Sequence, residues 1–484
     1  MQNKLPSLWL SILPIIILVG LLALTIYIFG SDALGGGSQV ALLIATSVCV
    51  AIGIGVLHRP WVDFEEAMVR NISGVGTAIV ILLIIGALSG AWVVSGVVPT
   101  LIYYGIQVIH PDFFLLCSCI ICAIVSVMTG SSWTTIATIG IALMGIGKAQ
   151  GFDEGWIAGA IISCAYFGDK VSPLSDTTVL ASSTTGTPLF THIRYLMYTT
   201  VPSMVLALII FAVAGLSHEV SDTSHIALFT DTLSSKFNIT PWLLLVPIVT
   251  GVLIAKRVPS IITLFVSTLL ASLFAVIFQP QLLTEIAGST VAGWVDSTKG
   301  AFMMLFGATN LETGSAEVNE LIATRGMAGM MDTIWLIICA MCFGGAMAAG
   351  GMIEGITRLL TRFTHRRTSM VASTVASGLF FNLSTADQYI SIILTGNMFR
   401  DIYQRNGYEN RLLSRTTEDA VTVTSVLVPW NTCGMTQATI LGVATITYLP
   451  YCFFNLISPL MSILVAWTGY KIHRKEELFI GQVT

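Results

Sequence analysis

The chain has 484 residues, 55% of them hydrophobic and only 10% charged, whereas soluble domains carry about 25% charge. A mean hydropathy of +0.85 and a pI near 6.0, with a net charge of −4, exclude a water-bathed enzyme and a basic nucleic-acid binder. The nine cysteines all fall in apolar segments, and Cys119-x-x-Cys122 and Cys339-x-x-Cys342 lack a neighbouring histidine, so they read as small buried hydrophobes rather than metal ligands.

A helix needs about 20 apolar residues to cross a bilayer. Residues 8–29 exceed a signal-peptide core of roughly 7–15 residues and are followed by further apolar runs, so they read as a retained first span. The next candidates are 39–57, 75–97, 113–128, 136–147, 156–168, 195–216, 242–255, 260–278, 333–350, 369–381, 390–398, 421–427 and 447–468. Several are too short to cross alone and sit beside Gly, Pro, Ser and Thr, as discontinuous helices and re-entrant hairpins do. Residues 217–240 and 279–332 read as extramembrane or interfacial. The expected fold is an all-α polytopic membrane protein.

An internal repeat organises these segments. Gly90-Ala91 with Gly96 matches Gly345-Ala346 with Gly351, and Gly130-Ser131-Ser132-Trp133 falls opposite Leu383-Ser384-Thr385-Ala386. Gly151 aligns with Gly407, Val171–Ser175 with Leu427–Asn431, and Tyr195-Leu196 with Tyr448-Leu449, at offsets between 253 and 256. Arg358, Arg362, Arg366 and Arg367, with Lys471, Arg474 and Lys475, make one end of the second repeat basic, whereas Asp296, Glu312, Glu317, Glu320 and Asp332 precede it. With Lys4 cytoplasmic and Arg59 and Arg70 before the first repeat, the positive-inside rule starts the two repeats on opposite sides. The divisions expected are 1–74 N-terminal scaffold, 75–216 first repeat, 217–330 connecting segments, 331–470 second, inverted repeat and 471–484 cytoplasmic tail. Inverted repeats place a substrate site near the midplane, where broken helices meet.

The polar residues cluster at those breaks. In 166–178, Asp169, Ser172, Ser175, Asp176 and Thr177 surround Pro173, which removes a backbone donor and frees carbonyls near residues 169–170. Carboxylate, hydroxyl and carbonyl oxygens are the hard ligands a dehydrated Na⁺ needs; Asp176, Ser175 and Asn431 are the expected Na⁺ ligands. The alternative is a loop with capping Asp and Ser. Asp169 is either the proton carrier or a helix-terminus anchor, since a desolvated carboxyl takes up a proton more readily. Lys170 is placed to pair with Asp169 or Asp176, or to snorkel to the interface. In the second half, Asn382, Ser384, Thr385 and Asp387 end one apolar run, and Asn431 and Thr432 follow Pro429. Asp387 reads either as a buried acid of the site or as a helix N-cap. Glu418 and Asp419 line a proton path or follow a helix start marked by Ser414–Thr417. Ser131, Ser132 and Thr134 offer amides and hydroxyls to an ion or a carboxylate substrate, or bond back to their own helix. The seven histidines read as loop or segment-edge residues without metal spacing.

At these residues the sequence resembles the NhaC family of Na⁺/H⁺ antiporters within the larger ion-transporter superfamily. The matching stretches are Gly168–Thr178, Asp387-Gln388-Tyr389, Leu413–Asp419, Pro429–Gly434, Tyr448–Tyr451 with Phe454-Asn455, and Ile102–Gly105, covering about residue 60 to the last span. The resemblance implies Na⁺/H⁺ exchange without cofactor in the cytoplasmic membrane, with some members instead exchanging malate or lactate with coupled ions. It also implies elevator-like motion of a transport domain against a scaffold, often in a homodimer. The family's ion site carries over onto Asp169, Ser172, Ser175, Asp176 and Thr177, and further onto Asn382, Asp387 and Asn431. An intramembrane aspartyl protease would need a Gly-x-Gly-Asp sequence and a Tyr-Asp pair, both missing here, and no polar ring reads as an open channel.

Overall fold

A computed structural model describes residues 6–29, 35–217, 223–289, 293–361 and 366–472. Lys4, Arg362, Arg474 and Lys475, used above to orient the chain, lie outside the described residues. Every regular element described is helical. The first part runs through α1 (Leu8–Phe29), α2 (Gly37–Gly55), α3 (Trp61–Gly74), α4 (Gly76–Val94), α5 (Val97–Val108) and α6 (Phe114–Thr129). A one-turn α7 (Ser132–Thr135) passes through a π-helical turn, Ile136–Gly140, into α8 (Ile141–Ala149). Then follow α9 (Glu154–Val171), α10 (Asp176–Thr185) and α11 (Leu189–Leu216).

The middle holds α12 (Thr223–Lys236), α13 (Leu245–Ala255), α14 (Ser260–Phe278), α15 (Pro280–Ile286), α16 (Trp294–Phe306) and α17 (Ala316–Ile322). The last part comprises α18 (Gly326–Gly329), α19 (Met331–Ala349), α20 (Met352–Leu360), α21 (Arg367–Thr385), α22 (Gln388–Arg405) and α23 (Asn410–Thr417). A second π-helical turn, Glu418–Thr422, leads to α24 (Thr432–Leu441), α25 (Thr445–Tyr448) and α26 (Phe453–Thr468).

Among the described residues, seven helices are long and apolar enough to cross a membrane, or up to nine if each of two bent pairs is one span. The bends are 92° between Ile226–Lys236 and Pro241–Ala255 and 56° between Thr445–Tyr451 and Phe453–Thr468. Proline stands at both, removing a donor where the helix would continue. α14 shows the side-chain logic of a membrane helix. Ile262, Phe265, Leu269, Leu273 and Ile277 form an exposed stripe, while Thr263, Ser267, Thr268, Ala271 and Ala275 are buried, many of them toward the α4 side. Small residues face protein and large apolar ones face lipid, which lets helices approach closely.

Residues 279–332 depart from the purely interfacial reading. α16 and α18 both pack on α4, and Gly90 leaves no room for a Cβ beside the Met304 carbonyl. Near the breaks the tightest pair is α6 with α9: the backbone of Ser126 occupies the place of a Gly168 Cβ, and Ser126 Oγ donates to the Ala165 carbonyl.

Left-handed residues recur at matched places in both halves. Gly96 (φ 84°) matches Gly351 (67°), Gly130 (68°) matches Ala386 (59°), Gly151 (83°) matches Gly407 (76°), and Gly186 (70°) matches Gly442 (68°). Each pair is 255 or 256 residues apart. This corrects one landmark: Gly130 corresponds to Ala386, not to Leu383, so Ser131 falls opposite Asp387. Both are N-caps, Ser131 of α7 and Asp387 of α22. The Tyr195–Tyr448 match shifts likewise, since α11 begins at Leu189 and α25 at Thr445.

Candidate functional site

The breaks after α6, α9, α21 and the second π-helical turn converge on one cavity of about 650 Å³. Gly130–Thr134, Leu174–Thr177, Asp387–Tyr389 and Thr432 line it, together with Gly74, Val75 and the start of α14. Asp169 sits in its wall, 6% exposed. The Ser132 N–H donates to Asp169 Oδ1 at 2.9 Å and the Ser132 hydroxyl to Oδ2 at 2.5 Å, so the carboxylate meets the positive N-terminal end of α7. The main-chain carbonyl that Pro173 leaves without its helical donor is taken up locally: Thr178 Oγ1 donates to Asp169 O at 2.5 Å and Thr177 Oγ1 at 3.2 Å.

Asp387 stands in the same wall, 2% exposed. It accepts from the Ile390 N–H at 2.9 Å and from Thr432 Oγ1 at 3.2 Å. Asp387 is thus the N-cap of α22 and at the same time a buried acid of the cavity wall. Asp176 and Arg257 are the exposed charges of the lining. Arg257 carries a left-handed φ of 59° at the α13–α14 turn.

Behind the cavity lies a second polar group with no exposure. Lys170, Arg415, Glu418 and Asp419 are each 0% exposed. Lys170 Nζ donates to Asp419 Oδ1 at 2.5 Å and to Ser458 Oγ at 2.8 Å. Thr199 Oγ1 also donates to Asp419 Oδ1, at 3.0 Å, while Arg415 Nε lies 3.9 Å from Oδ2 and its guanidinium covers the Tyr195 ring at 4.8 Å. Among the described residues the Glu418 carboxyl has no hydrogen-bond partner beyond the Thr422 hydroxyl of its own turn. His192 is buried in α11, with Nδ1 2.8 Å from Ser414 Oγ and Nε2 unpartnered.

A profile of the Na⁺/H⁺ antiporter family matches residues 164–470, the stretch that holds both proline breaks and the buried ion cluster. The chain belongs to that family. The NhaC Na⁺/H⁺ antiporter of Alkalihalophilus pseudofirmus is 38% identical over 422 residues, spanning 87% of this chain and 88% of that protein. The malate-2H⁺/Na⁺-lactate antiporter of Bacillus subtilis is 35% identical over 433 residues, 89% of both chains. The arginine/ornithine antiporter ArcD of Halobacterium salinarum is 32% identical over 482 residues, 98% of this chain and 94% of that one. With NhaC antiporters among its relatives over most of its length, the chain is a NhaC-family transport protein rather than an enzyme, and a multi-spanning membrane protein.

Within this antiporter-family chain the expected site residues divide in two. Ser131, Ser132, Thr134, Asp169, Ser175, Asp176, Thr177, Asp387 and Thr432 line the cavity. Ser172, Asn382, Ser384, Thr385 and Asn431 do not; most of their polar contacts are to the backbone, while Asn382 also donates to Thr424 Oγ1 and Thr385 Oγ1 meets Ser391 Oγ. Asn431 Oδ1 caps α24 by accepting from the Cys433 N–H at 3.1 Å, and its amide donates to Asn382 O at 3.1 Å. Asn382 in turn donates to Val421 O at 2.8 Å. Ser384 and Thr385 bond back to Phe381 O at 3.5 and 2.9 Å, and Ser172 Oγ accepts from the Leu174 N–H at 3.3 Å.

Two further expectations are corrected. Lys170 pairs with Asp419, not with Asp169 or Asp176, because its side chain leaves α9 on the face turned toward α26 and the second π-helical turn. α23 starts at Asn410 rather than near Ser414–Thr417, which leaves Arg415 inside it. His192 stands at a segment edge as expected, in the first turn of α11, and is buried there. Sequence reading missed Arg257 altogether and took Arg415 only as part of a helix-start marker.

Proposed function

We propose that the chain exchanges Na⁺ for H⁺ by alternating access at this cavity, and that Asp169, Asp387, Ser175, Asp176, Thr177 and Thr432 form the ion-binding surface. The observation that carries this reading is the convergence of Asp169 from one half and Asp387 from the other on one cavity wall. Each acid is held at a helix N-terminus and given one hydroxyl, so its charge is fixed in place while further lone pairs remain for a cation. An uncompensated carboxylate is costly to carry through hydrocarbon; Na⁺ or H⁺ removes that cost, and the empty, charged site stays where it is. That condition couples the two fluxes.

The matched left-handed turns and the proline breaks at 173 and 429 support two repeats of opposite orientation, 75–216 and 331–470, with re-entrant hairpins. Cross-packing of α10 on α22 and of α24 on the first π-helical turn supports their movement as one body. This body would move in elevator fashion against a scaffold of 1–74 and 217–330, in a homodimer with both termini, including the tail at 471–484, in the cytoplasm. Proteoliposomes loaded with a pH dye test the exchange. A Na⁺ gradient moves protons in wild type, and Asp169→Asn or Asp387→Asn lowers the initial rate by about a hundredfold, the scale of losing an ionic ligand. If Na⁺ moves no protons in wild type, the reading is wrong.

A second reading, exchange of a small carboxylate with coupled ions, draws on Arg257, the sole cation lining the cavity among the described residues. Its discriminating test is uptake of labelled malate and lactate. Uptake that Arg257→Ala abolishes, with Na⁺/H⁺ exchange intact, would favour it.

A further inference from the structure

On the Asp169 side of the cavity the buried groups hold one more carboxyl than basic groups, with Asp387 on the opposite wall. Two basic side chains, Lys170 and Arg415, share this region with three carboxyls, Asp169, Glu418 and Asp419. Asp419 is held by Lys170, Thr199 and Ser458, with Arg415 close by, and Asp169 by both donors of Ser132. Glu418, at 0% exposure, has the Thr422 hydroxyl of its own turn as its one hydrogen-bonding neighbour among the described residues, and it lies within electrostatic reach of Lys170, Asp169 and Asp419. A buried carboxylate with so little hydrogen bonding is disfavoured in its charged form.

The elements packed around Glu418 add no other fixed charge. α9 brings Tyr166, Asp169 and Lys170, and α23 brings Arg415, behind which stand His192 and Tyr195 of α11. α22 brings Tyr403, bonded to Thr374, and α26 brings Asn455 and Ser458. α21 presents Gly378 to Val421 and Ala420, and α10 carries only Asp176, exposed at the cavity mouth. Asp387, across the cavity, is held at the N-terminus of α22 as Asp169 is at that of α7.

We infer that Glu418 carries the exchanged proton, separately from the carboxylates that contact Na⁺. With the site empty of Na⁺, the proton on Glu418 balances the cluster. When Na⁺ arrives at Asp169 it supplies the same single positive charge. The Glu418 O–H bond then breaks heterolytically, the electron pair stays on the carboxylate, and the proton leaves to water. Na⁺ and H⁺ thus compete through charge rather than through one shared oxygen set. The inference rests on the exchange reading above and assigns its proton.

The test measures proton release on Na⁺ binding by purified protein in weak buffer, together with ²²Na⁺/Na⁺ exchange in proteoliposomes. Wild type releases about one proton per bound Na⁺, and its apparent Na⁺ affinity rises about tenfold per pH unit while Glu418 is protonated. Glu418→Gln mimics the protonated form permanently. It binds Na⁺ with the weak affinity of wild type at acid pH, independently of pH, releases no proton, and still exchanges ²²Na⁺ for Na⁺ at saturating concentration. Glu418→Gln protein that releases protons as wild type does, or that loses ²²Na⁺/Na⁺ exchange while remaining folded, overturns the assignment. If Glu418→Gln does not fold, Glu418→Asp decides: retained exchange with a displaced pH profile supports it, and an unchanged profile overturns it. Failure of wild type to bind or move Na⁺ would instead count against the exchange reading.

Discussion

Asp419 is the residue on which two buried cations depend. Removing a member of a buried, hydrogen-bonded ion pair costs about 3–5 kcal/mol, because the charge left behind has neither water nor partner. Lys170→Met leaves Asp419 with Thr199, Ser458 and Arg415. Asp419→Asn leaves Lys170 and Arg415 both without their carboxylate. Thermal unfolding in detergent should therefore show Asp419→Asn as the more damaging of the two, and the reverse order would refute the geometry of this cluster. The same geometry explains why Lys170 is a poor candidate for binding a substrate anion. Its ammonium is committed to Asp419 and Ser458, and Phe454 covers it at 5.3 Å.

The approach of α9 to α6 sets where Asp169 stands. Gly168 is the contact point, and a methyl there would meet the Ser126 backbone. Gly168→Ala should cost about 1–3 kcal/mol by overpacking and should lower transport as well, because the next residue is Asp169. Gly251→Ala on α13, with nothing within 4 Å of the added methyl, should leave both unchanged; equal effects at the two positions would contradict this account. Element by element, much was legible beforehand. Residues 8–29 and 260–278 stand as expected because long apolar runs bounded by polar or proline residues leave little choice. The proline breaks were legible for the same reason: a missing N–H is written in the sequence. Less legible was which way polar side chains turn at a break. The ligand reading of Asn431 and Ser172 rests on residue type and position; here both side chains bond to backbone groups outside the cavity lining, whereas Arg415 reads as part of a helix start and is buried inside α23. Part of this depends on partners far along the chain, such as Asn382 for Asn431 and Tyr195 for Arg415, which local pattern does not reveal.

For the whole molecule the claim is that one positive charge at a time neutralises the site between two halves of the chain. Acidification supplies that charge as protons, so the Na⁺ concentration for half-maximal exchange should rise as pH falls, and a pH-independent value would contradict competition. The most direct measurement is a structure of the protein determined in Na⁺ beside one in a Na⁺-free buffer. An ordered cation should appear in Na⁺ alone, at the cavity wall between Asp169 and Asp387 and within coordination reach of Thr177 or Thr432. A cation found only outside the cavity, or no difference between the two structures, would contradict the account.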